Sequence, residues 1–302
     1  MTIQQLLKLT IPKLTAQKID NPHLEAELLL SHVLKKPREF LLAHGEKKIS
    51  AWQTASLESL IARRLKGEPI AYLAGHKEFY GLDFIVNKDV LIPRPETELI
   101  VEEALKPIAR SPQPVTLLDI GTGSGCVIIT LAKLITNCKF LAADISAKAL
   151  TVAKQNAKHH GVAKNIKFLK GDLLSPVIYN SKFSILTSNL IILANLPYGW
   201  SAWKNNTSAD TVGLRFEPKI ALYAGKNGLE LYEKLFKQIK TLRGDITALC
   251  EIDPRQTGKM RQLAKQYLPQ AKLQIKKDLC GLNRLVIIDT RCPLGHRVSY
   301  AS

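Results

Sequence analysis

The sequence predicts an α/β fold in which a Rossmann-like, doubly wound sheet follows a small helical bundle and a β-hairpin connector. Three observations carry this reading. Residues 1–80 show helical periodicity with few β-branched runs. From about Glu96 onward, helical stretches alternate with short apolar strands. One of those strands runs into a glycine-rich turn, Gly121-Thr122-Gly123-Ser124-Gly125, that opens a helix. Such alternation is the pattern of a parallel sheet covered by helices, with ligands bound at the carboxyl ends of its strands.

In the N-terminal segment Leu24, Leu28, Leu29 and Val33 recur at helix spacing behind the start signal Asn21-Pro22, and Leu57, Leu60, Ile61 and Leu65 recur in the same way. A connector over residues 81–95 follows, with 79–84 and 90–92 as strand arms and Asn87-Lys88-Asp89 as the turn. The sheet domain is expected over residues 96–290, with helices at 97–109, Cys126–Leu134 and 147–160. Its strands are expected at 116–120, 140–143, 166–169, Leu190–Ala194, 245–251 and 285–289. The tail, residues 291–302, has no periodicity and is expected to be flexible.

The chemistry is concentrated at strand ends. Glycines in the turn after the first strand reach backbone dihedrals closed to other residues and let a ligand approach the main chain. An ordinary tight strand-to-helix turn would use the same residue type, so the motif needs company. Asp144 supplies it, about twenty residues further on at the end of the next strand, where a carboxylate can accept both ribose hydroxyls of a nucleoside. After the third strand, Gly171-Asp172-Leu173-Leu174 offers a carboxylate and an apolar side chain for the edge and face of an adenine. Each acid also has a plain reading as a strand-end or cap residue. A dinucleotide fingerprint would carry its third glycine one place after Gly125, where this chain has Cys126, which argues against a nicotinamide dehydrogenase.

The tetrapeptide Asn195-Leu196-Pro197-Tyr198, directly after the apolar run Leu190–Ala194, resembles the pocket by which methyltransferases hold a planar nitrogen, and through that resemblance points to the reaction. An Asn carbonyl and a neighbouring backbone carbonyl can both accept from one NH₂ group, while an aromatic ring packs over the flat amide or base that carries it. Two acceptors and a platform select a planar NH₂ donor.

Taken with the glycine turn and this tetrapeptide, Leu91-Ile92-Pro93-Arg94-Pro95-Glu96-Thr97-Glu98, Arg215-Phe216-Glu217-Pro218-Lys219-Ile220-Ala221-Leu222 and Gly67-Glu68-Pro69-Ile70-Ala71-Tyr72 occur in the order seen in release-factor glutamine methyltransferases, the PrmC or HemK family. The sequence resembles that family from about residue 20 to 289. The resemblance implies a class I methyltransferase sheet of seven strands ending in an antiparallel hairpin, and an N-terminal domain that recognises the substrate. It implies methyl transfer from S-adenosyl-L-methionine to the side-chain amide nitrogen of the glutamine in the Gly-Gly-Gln motif of peptide-chain release factors. Carried over by position, Gly121, Thr122, Gly123, Ser124, Gly125, Asp144, Asp172, Leu173 and Asn195 line the cofactor site. Asn195, Leu196, Pro197 and Tyr198 hold the glutamine, with Asn195, Pro197 and Tyr198 as the catalytic set.

Leu196 departs from the family, which has Pro directly after the Asn. A backbone carbonyl serves equally well from Leu, but the fixed φ of Pro is lost and an N–H appears that needs a partner. The Asn-Leu-Pro-Tyr form is familiar from rRNA adenine dimethyltransferases, so methylation of an exocyclic amine in RNA is the alternative reading. Those enzymes carry their extra helical domain after the cofactor motif, whereas here it comes first. A non-catalytic binding module is the third reading. Arg94, set between two prolines, is expected to meet either the cofactor carboxylate or Glu96 or Glu98, and Glu217 either to brace the pocket or to cap a helix. His159-His160 reads as a solvated helix end, and Trp200 and Trp203 as part of a substrate lid or of the core.

Composition sets bounds. At 302 residues and 46% hydrophobic content the chain can bury a substantial core and has room for two domains. No apolar segment approaches membrane-spanning length and the N-terminus lacks a signal-peptide pattern, so a cytoplasmic location without membrane contact is expected. Five cysteines without a C-x-x-C pair indicate neither a disulfide framework nor a metal site. The net charge of +17 raises encounter rates with RNA, ribosomes or acidic proteins, yet the Lys and Arg residues are scattered, so direct nucleic-acid binding is permitted but not required.

Overall fold

The computed structural model describes residues 1–109, 111, 114–179, 189–200 and 212–291. It divides into two compact units: Met1–His76 with the described residues of Asn205–Phe216, and Lys77–Lys204 with Glu217–Ser302.

The first unit is helical. Its helices are α1 (Ile3–Ala16), α2 (Pro22–Leu34), α3 (Arg38–Ala43), α4 (Ala51–Leu65) and α5 (Ile70–Ala74). Thr2 and Ser50 each close a capping box, with Gln5 and Gln53, and so satisfy the free N–H groups that start α1 and α4. In α2 the buried face is Ala26, Leu29 and Leu30, and Leu24 is exposed. The expected stripe was therefore shifted by part of a turn: a helix this rich in leucine offers two overlapping periodic sets, and the small Ala26 marks the side where neighbours come close. Arg64, buried in α4, is held by Glu25 through two bonds, Nε to Oε2 at 2.6 Å and Nη2 to Oε1 at 3.1 Å.

A two-stranded hairpin follows, β1 (His76–Phe79) and β2 (Leu82–Ile85). The expectation of arms at 79–84 and 90–92 with a turn at Asn87 is corrected. The turn is Tyr80-Gly81, both at positive φ (53° and 74°), as a two-residue hairpin loop requires, and residues 90–92 form no strand.

The second unit contains α6 (Glu98–Ala109), β3 (Val115–Ile120), α7 (Cys126–Leu134), β4 (Cys138–Asp144), α8 (Ala147–His159), β5 (Ile166–Lys170), α9 (Ser175–Ile178) and β6 (Leu190–Ala194). It continues with α10 (Lys219–Leu222), α11 (Glu230–Ile239), β7 (Ile246–Glu251), α12 (Thr257–Tyr267), β8 (Lys272–Lys277) and β9 (Asn283–Asp289). The seven-stranded sheet has the order β5-β4-β3-β6-β7-β9-β8. Strands β3 to β7 are parallel, and β9 runs antiparallel to both β7 and β8. Strands β3, β6 and β7 are buried along their whole length, which is why they read as continuous apolar runs. The chain winds outward from β3 through β4 to β5, then crosses back to β6. The strand order therefore reverses between β3 and β6, and a crevice opens there at the carboxyl ends.

The extension before β6 lies outside the described residues except for Asn189, and so do Trp203 and all of the C-terminal tail beyond Arg291.

Candidate active site

Strand register brings the sequence motifs together. Ile120 pairs with Ala143 on one side and Ala194 on the other, so the glycine turn and the tetrapeptide leave the sheet side by side. Cys250 pairs with Ala194, which brings Glu251 level with Asn195.

The glycine turn is bound on several sides. Gly121, Gly123 and Gly125 all have positive φ, at 69°, 55° and 82°. The Gly121 and Thr122 N–H groups donate to the Ala143 carbonyl, and Asp144 Oδ2 accepts from the Gly123 N–H at 3.0 Å. Its other oxygen accepts from the Ser146 N–H at 2.8 Å. Burial holds the Asp144 carboxyl above its usual range despite those two bonds. Asn156, fully buried on α8, donates to the Ser124 carbonyl at 2.9 Å and bonds both backbone groups of Ile85, joining the turn to the hairpin. A Cβ on Gly125 would lie 2.7 Å from Ile129 and 3.2 Å from Ala153, so glycine is also required there for helix packing. Asp119, at the end of β3, is pushed up to about 7 by burial, although the Thr122 hydroxyl donates to it at 2.6 Å.

One cleft is lined by residues 121–124 of the glycine turn, Asp144, Asp172, Leu173, Asn195 and Pro197. Asp172 is paired with Lys234 of α11, and Leu173 sits in left-handed backbone, φ 52°, with its side chain buried. All the candidate cofactor residues except Gly125 thus share a single cleft with Asn195, Leu196 and Pro197, whereas Gly125 and Tyr198 are not among its lining.

The tetrapeptide is anchored from behind. The Asn195 Nδ2 group donates to Thr97 Oγ1 at 3.0 Å, and the Thr97 hydroxyl donates to Glu251 Oε2 at 2.8 Å. The Tyr198 hydroxyl reaches Glu251 Oε1 at 3.3 Å. Glu251 is 1% exposed, and burial pushes its carboxyl up to about 7, opposed by the Thr97 bond and by the charge of Arg284. Burial also raises the Tyr198 phenol far above its usual range, so it stays a neutral hydrogen-bond donor. Arg284, itself buried on β9, is held by Asp278 at 3.1 Å. The Leu196 N–H, which Pro would lack, meets the Tyr232 hydroxyl at 3.4 Å. The Leu196 side chain is buried against the turn, near enough that a Cβ on Gly121 would lie 3.3 Å from its Cδ2. Gln256 Nε2 donates to the Tyr198 carbonyl at 2.9 Å, and Gly228 packs so closely there that a Cβ would fall 2.1 Å from that oxygen.

Two residues of this network, Thr97 and Glu251, were not assigned a role from sequence. Their signals were a Thr two residues after the Pro93-Arg94-Pro95 motif and a carboxylate closing a buried strand. Arg94 lines the cleft and pairs with Glu217 rather than with Glu96 or Glu98; the other Glu217 oxygen accepts from the Ile92 N–H at 3.1 Å. Glu217 therefore braces the chain that leads into Thr97 and is no helix cap. His160 is not merely solvated, since its Nε2 meets the Asp83 carbonyl at 2.9 Å and its ring lies against Phe84. The Trp200 ring lies under the Arg255 guanidinium, 4.9 Å from its centroid, and Arg255 is in turn paired with Asp253.

Residues 5–75 match the model of the PrmC N-terminal domain, and residues 113–275 that of a methyltransferase domain. The chain is 34% identical to a release factor glutamine methyltransferase of Nitratidesulfovibrio vulgaris over 94% of each chain. It is 35% identical to one of Chlorobaculum tepidum, covering 94% of this chain and 95% of that one. Among solved structures, the hMettl16 catalytic domain in complex with MAT2A 3′UTR hairpin 1 superposes with a TM-score of 0.55 at 14% identity, over 87% of this chain and 91% of that one, a likeness of fold alone.

Proposed function

The chain belongs to the release factor glutamine methyltransferase family, and on that premise we propose that it methylates the side-chain amide nitrogen of the Gly-Gly-Gln glutamine in peptide-chain release factors, with S-adenosyl-L-methionine as donor. The observation that carries the reading is the Asn195 amide, oriented from behind by Thr97, in a cleft that the glycine turn also lines.

The cleft fits such a donor on its own geometry. Two positive-φ glycines, Gly121 and Gly123, expose main chain to it, and Asp144 spends two lone pairs on backbone N–H groups while a carboxylate offers about four sites. Residues 121–125 with Asp144, Asp172 and Leu173 would hold the group, and Asn195 adjoins it. When bound, S-adenosyl-L-methionine supplies an electrophilic sulfonium methyl, and the electrons of the broken S–C bond stay on sulfur.

The protein's task is then to present a poor nucleophile. An amide lone pair is delocalised, so rate comes from alignment and from stabilising the charge that develops on nitrogen as the N–C bond forms. The Asn195 carbonyl and the Leu196 carbonyl accept from the glutamine NH₂, which orients it and favours the transient positive charge. Pro197 stiffens the turn between these acceptors and Tyr198. The Tyr198 ring, tethered through Glu251 and Gln256, packs on the amide plane and excludes water. The proton lost from nitrogen leaves to solvent.

The RNA adenine alternative rests on Leu196. In this structure Leu196 serves local packing, through Tyr232 and Gly121, which lends that reading no further support. Action in the cytoplasm, where release factors work, follows from the reading; no described helix is long and apolar enough to cross a membrane. The test is incubation with purified unmethylated release factor followed by peptide mass mapping. One added methyl on the Gly-Gly-Gln glutamine is the expected result, and an unmodified peptide contradicts it.

A further inference from the structure

The orientation of a side-chain amide is fixed by whatever its NH₂ and carbonyl ends meet. Thr97 Oγ1 stands between two partners, the Asn195 amide at 3.0 Å and Glu251 Oε2 at 2.8 Å. A hydroxyl has one proton to give. Glu251 also receives the Tyr198 hydroxyl on its second oxygen. A carboxylate that is acceptor-only leaves Thr97 no choice but to donate to it. The Thr97 oxygen must then accept, only the NH₂ end of Asn195 can face it, and the Asn195 carbonyl is left to the cleft.

We propose that Glu251, acting through Thr97, sets the hydrogen-bond polarity of the site, so that Asn195 presents an acceptor and the enzyme takes an NH₂ donor as substrate. This deepens the function proposed above and rests on it for the identity of the substrate. Glu251 and Thr97 are positioning residues, since each acts through a bond to the tetrapeptide, Thr97 to Asn195 and Glu251 to Tyr198. Reversing the chain at its far end reverses it at the near end. If Glu251 donates a proton to Thr97, Thr97 donates to Asn195 and the amide flips, turning its NH₂ toward the substrate NH₂.

Several groups face this carboxyl: Tyr198 from the turn after β6, Arg284 from β9, Glu96 from the turn before α6, and Cys126 at the start of α7. The Tyr232 hydroxyl of α11 bonds the Glu251 backbone carbonyl. With Glu251 pushed up to about 7, its ionised, acceptor-only form is gained as pH rises through neutrality, and so is the productive orientation.

The test uses the full-length protein with Glu251→Gln, Thr97→Val and Thr97→Ser. Gln keeps the shape of Glu but replaces one of its two acceptor oxygens with an NH₂ donor, so Thr97 and Tyr198 can no longer both donate to it. Val removes the relay hydroxyl, and Ser keeps it. At saturating release factor, Glu251→Gln and Thr97→Val are expected to lose at least about 50-fold in kcat, with cofactor affinity by calorimetry within about threefold of wild type, and Thr97→Ser to recover most of the activity. Wild-type kcat is expected to rise between pH 6 and 8, and the residual rate of Glu251→Gln to stay flat. A Glu251→Gln enzyme with wild-type kcat overturns the proposal, as does a Thr97→Val enzyme matching Thr97→Ser should Glu251→Gln fail to fold. The Asn195 side-chain NH₂ resonance, assigned by its loss in Asn195→Ala, gives a readout without substrate. It is expected to move in Glu251→Gln and Thr97→Val and to stay in Thr97→Ser. If it does not move in Glu251→Gln, the proposal fails whatever the wild type methylates; if the wild type leaves release factor unlabelled, the substrate reading fails.

Discussion

In the proposed mechanism the chemistry turns on Asn195, whose side chain is held by Thr97 and, through it, Glu251. Asn195→Ala removes one of two acceptors that gain strength as charge develops on the substrate nitrogen. A loss of roughly 100- to 1,000-fold in kcat is expected, on the scale of deleting one preorganised polar group, with folding unchanged by circular dichroism. Leu196→Pro restores the family's residue and deletes a long bond to Tyr232 together with buried side-chain area against the glycine turn. A melting temperature a few degrees lower is expected, corresponding to about 1–2 kcal/mol, with release factor remaining the substrate in a radiolabel assay. The pH dependence of stability has a definite sign. Below about pH 4.5 Glu251 is neutral in both states, so its burial carries no ionisation penalty; as pH rises toward 7 the unfolded chain ionises first and native stability falls, by roughly 3 kcal/mol at the limit. In chemical denaturation, Glu251→Gln is expected to remove that part of the slope between pH 5 and 7. At this scale the tetrapeptide and the strand-end acids were legible because each motif is local. The bonds that link Thr97, Glu251 and the tetrapeptide join residues from about 50 to about 150 positions apart, and no local pattern encodes which oxygen meets which hydroxyl.

Among the elements, the glycine turn carries the strictest demand, since three backbone positions must be left-handed within five residues. Gly125→Ala places a methyl 2.7 Å from Ile129 at φ 82°, so a loss of about 2–3 kcal/mol and weaker cofactor binding by calorimetry are expected. Strands β3, β4 and β6 were readable as apolar runs because both faces of each are covered. Strand β8, by contrast, alternates half-buried and exposed residues and is rich in lysine, so it carried no apolar signal of its own; only the family resemblance implied a closing hairpin. The β1-β2 hairpin was misplaced for a related reason. Asn87-Lys88-Asp89 has the composition of a turn, whereas the true turn includes Tyr80 at φ 53°, a residue that composition would not select.

At the scale of the whole molecule, the alternation of elements was enough to predict the class of fold, and the reversal of strand order between β3 and β6 explains why the two most informative motifs share one cleft. The net charge of +17 belongs to this scale too, because it acts through the summed field rather than through any one contact. An acidic or nucleic-acid-bound partner would be captured faster at low salt. With release factor as substrate, kcat/KM is expected to fall several-fold between about 50 and 300 mM salt while kcat stays level, because screening acts on encounter and not on the alignment of a bound amide.

The most direct test of the central claim offers wild-type enzyme and Asn195→Ala two substrates in parallel under labelled S-adenosyl-L-methionine: unmethylated release factor and protein-free rRNA. The account predicts label from the wild type on the Gly-Gly-Gln glutamine alone, falling at least about 100-fold in Asn195→Ala. Label on rRNA adenine with none on the release factor would contradict it, and so would full labelling by Asn195→Ala.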